Sequence, residues 1–280
     1  MAVEYRGVKG LVVAEVLTDT ESAYTTGTVH KLAPVAEIAK TVETSADAHY
    51  YDNKAAIVIE SEGPDTVTFT IAVPEDEVFA LITGRTYDST AKRFIESERV
   101  ERYFAVGYVI GEVGQGEDER YVWRYKGTFA VPDETSQTVN DSTDANNVSL
   151  VYTGIYTEHE FANGKGTGIT GAAKAMYIRK SANVATEATF FAVVATPDTV
   201  FPAYALTITE DNHTQAIVTR GGQLLENNAI IFAGDVLTIT ATEDGEDPSE
   251  QLTLTVNGTA FTSGNTYTVV GDTVVETVLS

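Results

Sequence analysis

Apolar and polar residues alternate with a period of two from one end of this chain to the other, and that period belongs to a pleated strand with one face turned inward. Val67, Phe69, Ile71 and Val73 fall on one side of such a strand, and Thr66, Thr68, Thr70 and Ala72 on the other. One side suits a core and the other suits water. Phe104, Val106, Tyr108 and Ile110 alternate with Tyr103, Ala105, Gly107 and Val109, so both faces of that strand are apolar. Tyr121, Trp123, Tyr125 and Phe129 alternate with Val122, Arg124, Lys126 and Thr128, which places the single tryptophan in an aromatic row expected in the core. The fold expected is mainly β.

One stretch breaks the period. Pro74, Glu75, Asp76 and Glu77 open a segment in which Val78, Leu81 and Ile82 recur at helical spacing, and Gly84 follows. Proline tolerates a first helical turn, carboxylates favour the positive end of the helix dipole, and glycine suits a left-handed stop. One short helix is therefore expected, covering an open end or face of a sheet.

A length of 280 residues suits about two domains. The expected break lies where Pro197 and Pro202 flank a short linker, giving a first domain over residues 1–200 and a small all-β domain over 203–280. The second holds 11 acidic residues and one basic residue, Arg220, and so carries a net −10 of the chain's −23. Its strands alternate cleanly: Leu237, Ile239 and Ala241 against Val236, Thr238 and Thr240, then Leu252, Leu254 and Val256 against Thr253 and Thr255. Asn257-Gly258 follows at once, a pair suited to the positive φ angles of a tight hairpin turn.

Charge and motifs narrow the chemistry. Against 41 acidic residues stand 18 basic ones, the wrong balance for a protein that grips nucleic acid by neutralising phosphates. Cysteine is absent, which removes disulfides, thiolate metal sites and cysteine nucleophiles. Residues 1–7 lack the basic-then-apolar pattern of a signal peptide, and the apolar runs fall short of the roughly 20 residues that span a bilayer, so no membrane partner is expected. Gly166, Gly168 and Gly171 satisfy the GxGxxG spacing, yet no buried parallel strand precedes them, and residues 163–171 are read as a mobile surface loop. The four histidines, His30, His49, His159 and His213, are scattered singly. Residues 133–147 and 243–250 are acidic without the spacing of a calcium loop. No nucleophile elbow occurs. No catalytic residue, metal or cofactor is expected, and the chain is read as a non-enzyme.

Several segments in fixed order resemble the major tail tube protein of long non-contractile-tailed phages of Gram-positive bacteria. They are Gly7 to Val16; Glu43-Thr44-Ser45 leading to Tyr50-Tyr51-Asp52-Asn53; the helix ending at Gly84; and Tyr121 to Gly127 with Phe129 and Pro132. The resemblance covers about the first 200 residues. Residues 234–241, 254–258 and 263–269 resemble the small β repeats appended to bacterial surface proteins and some phage tail proteins, with immunoglobulin-like and internalin-B-repeat-like domains both matching the pattern.

The first resemblance implies a β-sandwich or barrel tail-tube domain that forms homohexameric rings, with strands of neighbouring copies joining into one barrel and rings stacking into a tube. Such a protein belongs to the virion tail, assembled in the host cytoplasm. Its partners would be further copies of itself, a tape-measure protein, a tail-terminator protein, and double-stranded DNA passing without tight binding. A bore of carboxylates and hydroxyls avoids the counterion-release gain of a basic wall, and Thr66, Thr68 and Thr70 are candidates for that lining. The resemblance also makes residues 43–53 a long loop reaching an adjacent ring, with Tyr50 and Tyr51 as aromatic anchors and Glu43, Asp47 and Asp52 at a polar rim. The plain alternative for that segment is a solvated hairpin. The second domain would project outward, with a host surface glycan as a weak ligand. Two rival classes share the pattern: the inner tube of a contractile injection machine, and a β-rich adhesin or capsid-decoration protein.

Overall fold

The computed structural model describes residues 4–51, 54–114, 116–133, 147–243 and 251–279. The chain is mainly β and divides into two compact units: residues 1–179 with 191–199, and residues 180–190 with 200–280. Residues 180–190 thus cluster with the second unit, although they precede the proline-flanked linker.

The first unit contains β1 (Glu4–Thr20), β2 (Ala23–Thr26), β3 (His30–Lys31), β4 (Val35–Tyr51), β5 (Lys54–Ile71), α1 (Asp76–Thr83), β6 (Thr86–Asp88), β7 (Arg93–Ile95), β8 (Phe104–Gly114), β9 (Gly116–Arg124), β10 (Lys126–Phe129), β11 (Val148–Ile155) and β12 (Ala175–Arg179). Among the described residues one sheet runs β12-β9-β8-β1-β2, with β3 also pairing β1, and a second runs β10-β11-β5-β4. β1 changes register against β8 between Tyr5 and Val8 and between Lys9 and Val12. Gly7 and Gly10 lie in those gaps at φ 82° and 67°, angles that side chains resist, so the glycines let the strand bend there.

Between the sheets lies a core that includes Leu11, Val13, Val67, Phe69, Ile71, Phe104, Val106, Tyr108, Phe129, Leu150 and Tyr152. The helix α1 adds Val78 and Ile82. Two acidic residues occupy its first turn, and Gly84 stops it at φ 67° with its N–H on the Leu81 carbonyl. The aromatic row is buried as expected, but it is split between two environments. Trp123 packs on Phe191 at 5.6 Å, whereas Tyr125 meets Tyr24 and Phe161 at 6.0 and 5.3 Å. Val122, Arg124 and Lys126 of the partner row are buried too, the two cations at 5% exposure each. Their charges are compensated inside the unit, a pairing that period-two reasoning does not anticipate.

Three local features go beyond the sequence reading. A second helix, α2 (Glu187–Ala192), follows a 3₁₀ turn at Lys180–Ala182. At six residues it is too short for helical spacing to register, and its start is marked by the Thr186 hydroxyl accepting the Thr189 N–H. Residues 163–171, read as a mobile loop, form an internally bonded turn assembly. Phe161 and Gly171 exchange backbone hydrogen bonds, and the Asp198 carboxylate accepts the N–H groups of Ala162 and Asn163 at 2.8 Å each. A Cβ on Gly164 would fall 1.7 Å from the Gly171 carbonyl oxygen, so this glycine serves close backbone approach. Finally, residues 43–51 are not a loop: they continue β4, paired with β5 as far as Tyr51 and Lys54.

The second unit contains β13 (Ala203–Glu210), β14 (Thr214–Arg220), β15 (Gln223–Leu225), β16 (Ile230–Phe232), β17 (Val236–Glu243), β18 (Leu252–Val256), β19 (Thr259–Ala260), β20 (Thr266–Thr268) and β21 (Thr273–Leu279). Its sheets run β16-β13-β21-β18-β19 and β15-β14-β17-β20 among the described residues. The first and last of these strands, β13 and β21, pair in parallel. Leu206, Val218, Ile231, Leu237, Ile239 and Val275 are fully buried between the sheets. Asn257 and Gly258 take φ angles of 50° and 74° and join β18 to β19, as their pairing requires. Arg220 binds the buried Asp235 at 2.6 Å, so the one arginine of residues 203–280 is spent on structure.

Candidate functional site

The outer face of the β10-β11-β5-β4 sheet is the feature that sequence reasoning singled out, and strand register defines its composition. Thr41, Thr66, Thr153 and Thr128 stand side by side in one row across β4, β5, β11 and β10. The next row holds Ala39, Thr68 and Val151, and the third holds Glu37, Thr70 and Ser149. These ten positions carry seven hydroxyls, one carboxylate and no cation. Thr66, Thr68 and Thr70 are half-buried within it, and the residues between them, Val67 and Phe69, are wholly buried on the other side. The alternation is therefore realised, and β-branched threonines suit the pleat of the face opposite the core.

The sheet ends in β4 on one side and β10 on the other, and among the described residues neither edge is covered by a further strand. Beyond Asp65 the four-stranded sheet narrows to β4 and β5 alone, which continue as a two-stranded arm. Glu43, Thr44, Ser45 and Ala46 are exposed on it, and Ser45 and Ser61 share a hydroxyl hydrogen bond at 2.7 Å. Of the rim and anchor residues expected here, Glu43 of the rim lies at the root of the arm. Tyr50 and Tyr51 are the last residues of β4, but their side chains and that of Asp47 lie outside the described residues, as does Asp52 altogether. The acidic segments 134–146 and 244–250 lie outside them too.

Asp65, at the root of the arm, is the feature that sequence reasoning missed. It is 2% exposed, and three cations converge on it. Arg124 Nη1 lies 2.8 Å away, Lys40 Nζ 3.0 Å and Lys174 Nζ 3.5 Å. Arg124 also donates from Nε to the Tyr108 hydroxyl at 3.0 Å. The four charges come from β5, β9, β4 and the residue before β12, so no short motif could reveal them. The nearest signal was two cations, Arg124 and Lys126, in a row otherwise fit for a core. Lys126 has the same solution, with Asp19 at 2.7 Å and Glu158 at 3.1 Å.

A cleft of about 660 Å³ opens beside this cluster, lined by Tyr5, Ile38, Lys40, Ile110, Arg120 and Tyr177 among others. Arg120 lies between the rings of Tyr5 and Tyr177, 5.2 and 4.5 Å from their centroids. It also pairs with the buried Glu112, which binds Arg179 at 2.6 Å. Lys40 and Arg124, which also line the cleft, are both held by Asp65. The cations that line the cleft are thus already neutralised by the protein's own carboxylates. Among the described residues no group of three or more histidine, aspartate or glutamate side chains is placed to hold a metal, and no helix is long and apolar enough to cross a membrane.

These ion pairs set a pH dependence. Burial by itself pushes the Asp65 carboxyl up, but hydrogen bonds and charge from Lys40 and Arg124 outweigh it and hold the group below its ordinary 3.8. Asp19 is held low in the same way, burial being outweighed by Lys126 and the N–H groups of Glu158 and His159. In Asp198 burial is outweighed by the N–H groups of Ala162 and Asn163. A carboxyl with a depressed folded value stabilises the fold above its unfolded value, and that contribution is lost as pH falls through the folded one. The melting temperature of the first unit should be flat from about pH 7 to about pH 5 and fall steeply below about pH 4. Calorimetry across that range checks it, and a melting temperature that holds down to about pH 2 would contradict it.

Comparison with protein-family models and with curated protein sequences finds no match to this chain.

Proposed function

We propose that this chain is a structural subunit that assembles into a tube and conducts double-stranded DNA, as its resemblance to phage tail tube proteins implies. The observation that carries the reading is the outer face of the β10-β11-β5-β4 sheet: seven hydroxyls and a carboxylate without a cation, in a sheet whose two outer edges carry no further strand among the described residues. A conduit for a polyanion must adhere to it nowhere. Each lysine or arginine facing the bore would release counterions from DNA and hold it, whereas hydroxyls present dipoles that water matches at little gain. The two uncovered edges supply the means of assembly, since β4 and β10 of neighbouring copies can complete each other's ladders and close the sheet into a ring. A chain that left the outer edge of the 17-residue β4 open in solution would be prone to uncontrolled association, and ring closure removes that liability.

On this reading the arm formed by the distal parts of β4 and β5 reaches an adjacent ring. Tape-measure and tail-terminator proteins set the tube's length, and the second unit decorates its outside, where a host glycan is its ligand. The product is a virion tail assembled in the host cytoplasm. Negative-stain electron microscopy of the purified chain, together with sedimentation, tests the proposal. Hollow striated tubes or closed rings are the expected result. A monodisperse monomer at all concentrations would overturn it, and a monomer that binds cell-wall material would mark an adhesin instead.

A further inference from the structure

The root of the β4–β5 arm has the construction of a hinge, and we infer that Lys174 is the strut that sets the arm's direction. Two strands alone make a strongly twisted and marginally stable ribbon, so the arm does not hold its own angle to the four-stranded sheet. At the root the ladder shifts register between Val42 and Thr44, an irregularity that bends the strand. Opposite it stand Gly63 and Pro64. The proline has no N–H to give the ladder, and the glycine leaves no side chain to brace Glu43, whose Cβ would lie 3.2 Å from an added Cβ.

Lys174 spans this weak point from outside the hairpin. Its Nζ donates to the Glu62 carboxylate at 2.6 Å and to the Gly63 carbonyl at 2.5 Å, both on the arm side, and lies 3.5 Å from Asp65 on the core side. Nζ also sits 4.6 Å over the Tyr156 ring. The backbone of Lys174 is anchored in turn, its carbonyl accepting the Tyr125 N–H at 2.9 Å. Among the described residues these are the ion pairs and side-chain hydrogen bonds that join the arm beyond Asp65 to the rest of the first unit. Lys174 is a positioning residue: it binds no partner itself and acts through the direction of the arm. The inference goes beyond the tube reading and does not depend on it.

Because the chain has no cysteine, two can be introduced and spin-labelled without background. Thr44→Cys on the arm and Ala130→Cys on the sheet side give a distance distribution by pulsed electron spin resonance on dilute, unassembled protein. The parent should give one narrow population. Lys174→Met should broaden it at least twofold while the melting temperature stays close to that of the parent, because Asp65 keeps Lys40 and Arg124. Lys174→Arg should restore most of the narrowness. Glu62→Gln, at an exposed site that leaves the Asp65 cluster intact, should also broaden it and serves if Lys174→Met folds poorly. Equal widths in the parent, Lys174→Met and Glu62→Gln would overturn the strut. A splayed arm in a variant that still builds normal tubes would instead count against the arm's role between rings.

Discussion

Replacing Asp65 by alanine should destabilise the first unit by about 3–5 kcal/mol, the range found when one partner of a buried ion pair is removed. The reason is the group left behind. The Arg124 side chain is 7% exposed, and without Asp65 its guanidinium keeps the Tyr108 hydroxyl as a neutral acceptor for Nε while Nη1 loses its counter-charge. Lys40 is far more exposed and can turn to water, so it adds little to the loss. For a unit of this size the change corresponds to a drop in melting temperature of roughly 10 °C. The double variant Asp65→Ala, Arg124→Met should recover much of it, because an apolar replacement removes the stranded charge. Calorimetry of the parent, both single variants and the double variant provides the cycle. A loss below about 1 kcal/mol for Asp65→Ala would mean that Arg124 finds another partner and that the cluster is not the keystone of the arm's root.

The second large effect concerns DNA. Changing Thr66, Thr68 and Thr70 to lysine puts three cations on a face whose register positions hold none, without touching the core on the other side of β5. If that face lines a bore, assembled tubes of the variant should retain double-stranded DNA that parent tubes let pass. Several lysines per copy, repeated around a ring, would make many phosphate contacts, and affinity should fall by about 10³-fold or more between 50 and 200 mM salt. Filter binding or co-sedimentation of tubes with linear DNA reads this directly. Parent tubes that bind DNA with the same steep salt dependence would sink the idea that the face is built for slip, and variant tubes that bind no DNA would show that it does not face the bore.

Much of the architecture was legible without coordinates because it depends on local periodicity. The alternation of Val67, Phe69 and Ile71 with Thr66, Thr68 and Thr70 reappears as one buried and one hydroxyl face. The helix at Asp76–Thr83 and the turn at Asn257-Gly258 follow from residues that the local backbone demands. The helix at Glu187–Ala192 was not legible, since six residues complete less than two turns and show no period. The loop at residues 163–171 looked mobile because its glycines suggest freedom. The restraint comes from Asp198, a residue distant in sequence that only the folded chain brings near.

Ion pairs mark the sharpest division. Arg124 and Lys126 sit in a row whose neighbours belong in a core, and sequence alone says only that something must neutralise them. Which carboxylates do so is decided by the crossing of strands far apart in the chain: Asp65 meets Arg124, and Asp19 meets Lys126. The same holds for the arm. Alternation marked the strand at residues 66–73, but that β4 and β5 pair along their length, where the four-stranded sheet gives way to two, and that Lys174 reaches across that point, are matters of long-range packing. By itself the sequence determined the β class, the polarity of each strand face and the tight turns, because those depend on neighbours within a few residues. The tertiary structure alone decided where buried charges find their partners and where the arm begins, because charge compensation acts through space and follows no period along the chain.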